Sequence, residues 1–297
     1  MPHEQPFIPH EDILRYEEIV RICEVATELG IRHIKVTGGE PLVRRGCVDL
    51  IAALKKIPGI EHVTLTTNGV LLREHLGRLK EIGLDGINIS LNALDPVIYE
   101  RITGSDMFHK AWAALQEALR LGFQVKLNCV PLVGHNDSQI LPIAELARTY
   151  PMDIRFIEMM PIGYGQFFKP IQSGDIYQQI KKVFPDLHED VKKRGFGPAH
   201  YYTSDREKLK GSIGFIDAMS HSFCASCNRV RLTSEGFLKL CLYHDKGLSL
   251  RDLLRSGADN DTIRTVMREE ILKKPNQHDF HSGIAAEESR MMSQIGG

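Results

Sequence analysis

The 297-residue sequence predicts an α/β fold built on a parallel sheet, followed from residue 166 by a segment of different construction. Three observations predict it. Short apolar runs alternate with amphipathic stretches through residue 165, which implies strands joined by crossover helices. Polar residues gather where the apolar runs end. Beyond residue 165 the alternation gives way to basic and polar stretches and then a cluster of cysteines.

The elements follow in order. Residues 12–29 carry apolar side chains at helical spacing, with Gly30 placed to end the helix. HIKVT at 33–37 reads as the first strand and runs into Gly38-Gly39-Glu40-Pro41. A helix over 48–57 leads to a second strand over 62–69, and a helix over 71–82, stopped by Gly83, to a third over 86–93. A helix over 107–121, stopped by Gly122, precedes the fourth strand over 124–132. A helix over 138–149 precedes the fifth, over 153–163. Each run is mostly apolar, as a strand covered on both faces requires. Thr37, Thr66-Thr67-Asn68, Ser90, Asn92, Asn128 and Glu158 mark the C-terminal ends. A closed α/β barrel and an open doubly wound sheet both build their sites at that rim. After residue 165, RVRLTSEGFLKLCL alternates as antiparallel strands about a Ser234-Glu235-Gly236 turn. Two domains are therefore expected, 1–165 and 166–297.

Composition narrows the function. With 42% hydrophobic and 25% charged residues the chain is globular. A net charge of −1 gives no global reason to expect nucleic acid or an anionic membrane as partner. No run approaches the ~20 apolar residues of a membrane span. MPHEQPFIPHED has neither the basic nor the apolar region of a secretory signal, so a cytoplasmic location is expected. Disulfides are not expected among the cysteines at 23, 47, 129, 224, 227 and 241. Cys23 and Cys129 sit in apolar patterns and read as core, and Cys47 stands near a helix start.

The other three cysteines, spaced Cys224-x2-Cys227-x13-Cys241, read as ligands of one metal centre. Thiolates are soft donors, and a Cys-x2-Cys turn lets two of them face one metal. Zinc, with His221 or His244 as fourth ligand, and a 4Fe–4S cluster with one open iron both fit this spacing. Arg229 and Arg231 follow at strand spacing, either as a solvated face or as paired guanidinium forks for a carboxylate or phosphate. Lys126 in the fourth strand is costly unless paired, ligand-facing or turned to solvent. Met159 and Met160 at the end of the fifth strand have the character of core filler. The terminal Gly296-Gly297 has the character of a loose end.

Taken together, TGGEPLVRR, LTTNG, INISLNALD, VKLNCV, GHND, RFIEMMPIG, FCASCNRVRLTSEGFLKLCL and the final glycine pair resemble, in order and across residues 1–297, the GTP 3′,8-cyclase family. These are radical S-adenosylmethionine (SAM) enzymes of molybdenum cofactor biosynthesis. The resemblance implies an incomplete (β/α)6 TIM-like barrel followed by a C-terminal iron–sulfur domain. It turns the three-cysteine site from zinc toward an auxiliary 4Fe–4S cluster held by Cys224, Cys227 and Cys241, whose open iron meets the guanine of GTP. It assigns Arg229, Arg231, Thr66 and Lys126 to GTP, and also Lys35, which stands where many members carry arginine. It assigns Gly39, Ser90 and Met160 to SAM, and Gly296 and Gly297 to a tail that enters the active site. The implied partners are GTP, SAM, a reductant such as flavodoxin or ferredoxin, and a cyclic pyranopterin monophosphate synthase that takes the product; a homodimer is compatible with the family.

One departure stands out. The family ligates a second 4Fe–4S cluster, the one that cleaves SAM, through Cys-x3-Cys-x2-Cys followed by Met-Pro, and this sequence starts at Met1-Pro2. The expectation is that the first strand and those ligands are missing through a misassigned start, so that the chain as written positions GTP without turning it over. Two alternatives are a non-catalytic nucleotide- and metal-binding protein and another radical SAM enzyme with an auxiliary cluster.

Overall fold

The computed structural model describes residues 8–192, 194–220, 223–275, 277, 288 and 290–296. Met1-Pro2, His221 and Gly297 lie outside the described residues. In chain order the elements are α1 (Tyr16–Glu28), β1 (His33–Val36), α2 (Cys47–Lys55), β2 (His62–Thr67), α3 (Leu72–Ile82), β3 (Gly86–Ser90), α4 (Pro96–Thr103), α5 (Phe108–Arg120), β4 (Val125–Cys129), α6 (Ile140–Thr149) and β5 (Asp153–Ile157). Then come α7 (Ser173–Lys181), β6 (His188–Glu189), β7 (His200–Thr203), β8 (Ser212–Ile216), β9 (Arg231–Leu232), β10 (Phe237–Lys239), β11 (Gly247–Ser249), α8 (Leu250–Arg255), α9 (Asn260–Leu272) and α10 (Met292–Ile295). The chain divides into two compact units. One gathers Thr67–Leu76 and Gly86–Cys227, the other the described residues of His3–Thr66, Gly77–Asp85 and Asn228–Gly297.

In the first unit the strands run β3-β4-β5-β8-β7-β6. The first four are parallel, and β7 and β6 return antiparallel at the edge. Side chains alternate across each strand, so Ile89, Leu127, Ile154 and Phe156 bury against apolar residues of the helices. Ile143, Ala144 and Ala147 of α6 and Ile176 and Ile180 of α7 are fully buried there. The parallel sheet passes the expected limit at residue 165, because Ser212–Ile216 pairs parallel with β5. The sequence gives SIGFI no helix directly before it; the β6–β7 hairpin intervenes and hides the βα rhythm. Helix α4 is a second difference, since the sequence reading places no element between residues 93 and 107. Its cues are nevertheless present. Asp95 accepts from Val97 and Ile98 N–H at 2.8 and 3.1 Å, Pro96 opens the helix, and Gly104 at φ 70° ends it.

In the second unit β1 and β2 are parallel, with His33 opposite His62. The strands β11-β10-β9 form an antiparallel sheet, as the alternation predicts, and Gly236 occupies the turn at φ 82°. Leu14 and the α1 residues Ile22, Val25 and Ala26 pack with Leu238, Leu250, Leu254, Ile263 and Met267 as one core. Glu18 fastens this packing. It accepts from Arg255 at 2.9 and 3.1 Å and from the Arg15 N–H at 2.6 Å. The Arg255 hydrogen bonds outweigh burial and bring its carboxyl down to about 2. A carboxyl lower in the folded than in the unfolded chain stabilises above its unfolded value, about 4.3. That stability is lost as pH falls from there through about 2. Acid titration of unfolding should therefore show a steeper loss across this window in the unaltered chain than in Glu18→Gln; equal slopes would contradict the assignment. Among the described residues no helix is long and apolar enough to cross a membrane.

Candidate functional site

In the first unit, strand register sets a polar stripe across the parallel sheet. Asn88, Lys126, Asp153 and Ser212 are successive cross-strand partners, and so are Ser90, Asn128, Arg155 and Gly214. Partners in register share a face. Arg155 is 6% exposed, donating from Nε to Asn128 Oδ1 at 2.8 Å and from Nη2 to Asn88 Oδ1 at 2.6 Å. Burial lowers its affinity for the proton, against the pull of Tyr201 and Asp153. Lys126 faces this interior rather than open solvent. Its ammonium donates to Tyr201 Oη at 3.2 Å and to the Arg194 carbonyl, and lies 3.4 Å from Asp153. Arg194 donates to Asp153 at 2.7 Å and to Asp190 at 2.6 Å. Burial works against the Arg194 charge, but Asp190 and Asp153 outweigh it and strengthen its hold on the proton. Lys126, Arg155 and Arg194 thus face the carboxylates of Asp153 and Asp190, an excess of positive charge suited to a polyanion.

At the rim, Ser90 is the exposed end of β3 and Met160 is half-buried past β5, its carbonyl accepting from Ile162 N–H at 2.8 Å. Glu158 is 2% exposed and fully engaged. It accepts from the N–H groups of Ser173, Met219 and Ser220 at 3.0, 2.8 and 2.8 Å and from Ser220 Oγ at 2.6 Å. Burial alone would raise its carboxyl; these hydrogen bonds prevail and lower it. It is a brace for the rim rather than an acid or base in reserve. Beside it, Ser173 Oγ and Asp217 Oδ1 are buried with no hydrogen-bond partner among the described residues, which is the kind of polar atom a ligand satisfies. Cys224–Ser226 forms one 3-10 turn, closed by Cys227 N–H to Cys224 O at 3.0 Å. Cys227 follows as the extended residue that ends the turn, which keeps the two cysteines close along the chain.

The second unit holds the remaining residues. Lys35 is exposed on β1 opposite Thr64 of β2, and Thr66 shares the Thr64 face. Thr37 follows, then Gly38 and Gly39. Gly38 has no atom within 4 Å of where a Cβ would stand. Its φ is not in the left-handed range either, so neither packing nor backbone requires glycine there. The Glu40 carboxylate caps the following turn, accepting from Leu42 N–H at 3.1 Å. Arg231 donates to the Gly296 carbonyl. A methyl group on Gly296 would stand 3.1 Å from Thr37 Cγ2 and 3.5 Å from Arg231 Nη1. The tail, Arg231 and the end of β1 therefore meet. Arg229 precedes β9 and is not part of it, so strand alternation does not pair it with Arg231. Cys241 lies two residues past β10, where Lys274 donates to the carbonyls of Arg229, at 2.9 Å, and Leu240.

Cys224 and Cys227 fall in the first unit and Cys241 in the second. None of the three is in a disulfide, and all are half-buried. Their donor chemistry fits an iron–sulfur cluster. Among the described residues no group of three His, Cys, Asp or Glu side chains could hold a single metal ion. His244, one of the two zinc-ligand candidates, has Nε2 3.3 Å from the Gln277 carbonyl. The sequence reading missed Asn88, Arg155, Arg194 and Tyr201. For Asn88 and Arg155 the available signal was the i, i+2 repetition of polar residues in NIS, KLN and DIR within otherwise apolar strands; Arg194 and Tyr201 lie outside those strands and carry no such signal.

Comparison with known proteins shows the family. Residues 2–147 match the Radical SAM superfamily and residues 152–280 match Molybdenum Cofactor Synthesis C. The chain is 41% identical over 291 residues to a GTP 3′,8-cyclase of Clostridium perfringens (strain SM101 / Type A), covering 98% of this chain and 90% of that one. It is 41% identical to a GTP 3′,8-cyclase of Desulforamulus reducens, covering 97% and 89%. Among solved structures, Streptococcus suis SuiB bound to S-adenosylmethionine superposes with a TM-score of 0.59 at 12% identity, over 95% of this chain and 70% of that one. That likeness is one of fold.

Proposed function

The chain belongs to the GTP 3′,8-cyclase family of radical SAM proteins, and on that premise we propose that it binds GTP and SAM for the cyclisation of GTP to (8S)-3′,8-cyclo-7,8-dihydroguanosine 5′-triphosphate, the first step of molybdenum cofactor biosynthesis. The near full-length likeness to curated cyclases carries this reading. A partial barrel over 1–165 and a cluster domain over 166–297 belong to this proposal; the family matches also fall into two parts, but they divide earlier, between residues 147 and 152.

Cys224, Cys227 and Cys241 would ligate the auxiliary cluster, which supplies an open iron for the guanine. Lys126 would meet the triphosphate, supported by the positive excess it shares with Arg155 and Arg194. To do so it must give up the Arg194 carbonyl. Lys35, Thr66, Arg229 and Arg231 would complete the GTP contacts. Gly39, Ser90 and Met160 would line the SAM side, with Gly38 leaving room for backbone approach. The Gly296-Gly297 tail would orient Arg231, as the Gly296 carbonyl already does. The six cysteines contain no Cys-x3-Cys-x2-Cys, so no residue of this sequence is assigned to the cluster that cleaves SAM. A reductant, the synthase that accepts the product and a homodimer belong to the same proposal.

The test is anaerobic reconstitution of the chain with iron and sulfide, followed by GTP titration. Iron–sulfur incorporation and saturable GTP binding are expected; stoichiometric zinc with no GTP binding would sink the reading. A second expectation concerns Gly38→Ala. Because nothing packs against that position, its melting temperature should match the unaltered chain while SAM binds about tenfold more weakly, as one crowded backbone contact costs. Equal SAM affinity would show that Gly38 is not at the ligand.

A further inference from the structure

The outer face of β9–β10 carries a conflict that the chain resolves in an informative way. Leu238 belongs to the apolar core and Leu232 packs against it. Arg231 and Lys239 are direct cross-strand partners on the opposite face. Like charges so placed repel. Lys239 is also 0% exposed, so its ammonium requires a partner. The C-terminal tail supplies a partner to each. The Glu288 carboxylate, 1% exposed, pairs with Lys239, and the Gly296 carbonyl accepts from Arg231. Glu288 is itself fixed. Its N–H donates to Tyr243 O at 3.1 Å, and Arg290 donates to its carboxylate from the backbone, Nε and Nη2 at 2.8, 2.9 and 3.1 Å. The Arg290 guanidinium lies 5.0 Å over the Phe237 ring, on the same face. From there the tail forms α10, capped by Gln294 accepting from Met291 N–H at 2.8 Å, and buries Ile295 before reaching Arg231.

We propose that Lys239 and Glu288 are positioning residues: their buried pair anchors the tail on β9–β10 and thereby holds the Arg231 guanidinium, through the Gly296 carbonyl, in the orientation that receives GTP. The anchor does not touch substrate. It fixes one end of a short lever whose other end is Arg231. Lys239 also donates to the His244 carbonyl, so the pair ties down the loop that carries Cys241 as well. This inference rests on the assignment of Arg231 to GTP.

The test compares Lys239→Met, the double variant Lys239→Met/Glu288→Leu, and each change in an Arg231→Ala background. The double variant guards against misfolding, since replacing both members of a buried pair by apolar residues preserves stability where breaking one does not. Hydrogen exchange should accelerate at the amides of residues 291–296 by about a hundredfold in both variants, the scale of a lost buried pair. GTP affinity should fall about tenfold, the worth of one hydrogen bond to a charged group, while the double variant melts with the unaltered chain. In the Arg231→Ala background neither change should weaken GTP further, because the lever then has nothing to hold. Unchanged tail exchange would overturn the anchor. An equal loss of affinity with and without Arg231 would overturn the positioning role. Absence of GTP binding by the unaltered chain would overturn the nucleotide reading and the positioning role with it, while the exchange data still report on the anchor.

Discussion

Replacing Cys224, Cys227 or Cys241 singly by alanine is expected to abolish incorporation of the iron–sulfur cluster, whereas the same change at Cys23, Cys47 or Cys129 leaves it intact. The two sets differ in chemistry. A ligand must be a thiolate with access to the metal. Burial pushes the Cys23 thiol up to about 12 and Cys47 up to about 11, and it raises Cys129 as well, so these stay protonated. Cys47 and Cys129 are also buried among apolar side chains. The other three are half-buried and outside any disulfide. With three protein thiolates, loss of one leaves two irons of the cube without a protein ligand, and cluster stability depends steeply on ligand number. Iron and acid-labile sulfide analysis after anaerobic reconstitution reads the outcome. The expected result is near-complete loss in the first set and full content in the second. If the guanine binds the open iron as proposed, GTP affinity should fall with the cluster. A variant of the first set that keeps full cluster content would remove that cysteine from the site.

Much of the fold is legible because local pattern and burial agree. Apolar runs of strand length, glycines at helix ends and the Ser234-Glu235-Gly236 turn all act within a few residues, so β1 to β5 and the β9–β10 hairpin lie where the sequence places them. What is not legible depends on pairing across distance. SIGFI becomes the next parallel strand only because β5 offers it an edge after the β6–β7 hairpin has intervened. Lys239 sits in an alternating strand where a lysine ordinarily marks the solvent face. Its burial comes from Glu288, nearly fifty residues later in the chain, and no local signal announces that.

The candidate site divides the same way. Cysteine spacing and the glycine-rich loop after β1 identify positions whose chemistry is unusual for their context. They do not identify the residues that hold those positions. Lys126 stands out in its strand, but the Asp153, Tyr201 and Arg194 groups that surround it come from three other segments. Arg155 draws no notice in RFIEMMPIG because a single arginine in a strand is ordinarily exposed, whereas here it is among the most buried charges of the first unit.

That burial leads to the second large effect. Asn88→Ala is expected to destabilise the first unit by about 3 kcal/mol, since it removes a hydrogen bond to a charged group and leaves that charge under-solvated. The guanidinium has no route to water to compensate, being 6% exposed and held on its other side by Asn128. At this size the loss corresponds to a fall of about 6–12 °C in melting temperature. Asn88→Asp provides the contrast. It keeps an acceptor at the 2.6 Å contact and adds a countercharge, so its loss should be much smaller. Arg155→Met removes the charge but orphans the Asn88 and Asn128 oxygens, and should fall between the two. The expected order, from most to least destabilised, is Asn88→Ala, Arg155→Met, Asn88→Asp. Packing alone gives the same order, since aspartate is isosteric with asparagine and methionine fills most of the arginine volume, so the size of the Asn88→Ala loss is the discriminator: a cavity of a few atoms costs about 1 kcal/mol, an under-solvated buried charge about 3 kcal/mol. Calorimetry of the three variants reads that size. The consequence for function follows from register. Asn88 is the cross-strand partner of Lys126, so a sheet that yields at Asn88 loosens the strand that carries the proposed triphosphate lysine. Asn88→Ala should therefore weaken GTP binding even at temperatures where the chain remains folded, and Asn88→Asp should weaken it too, for a different reason: it adds a negative charge beside the phosphates.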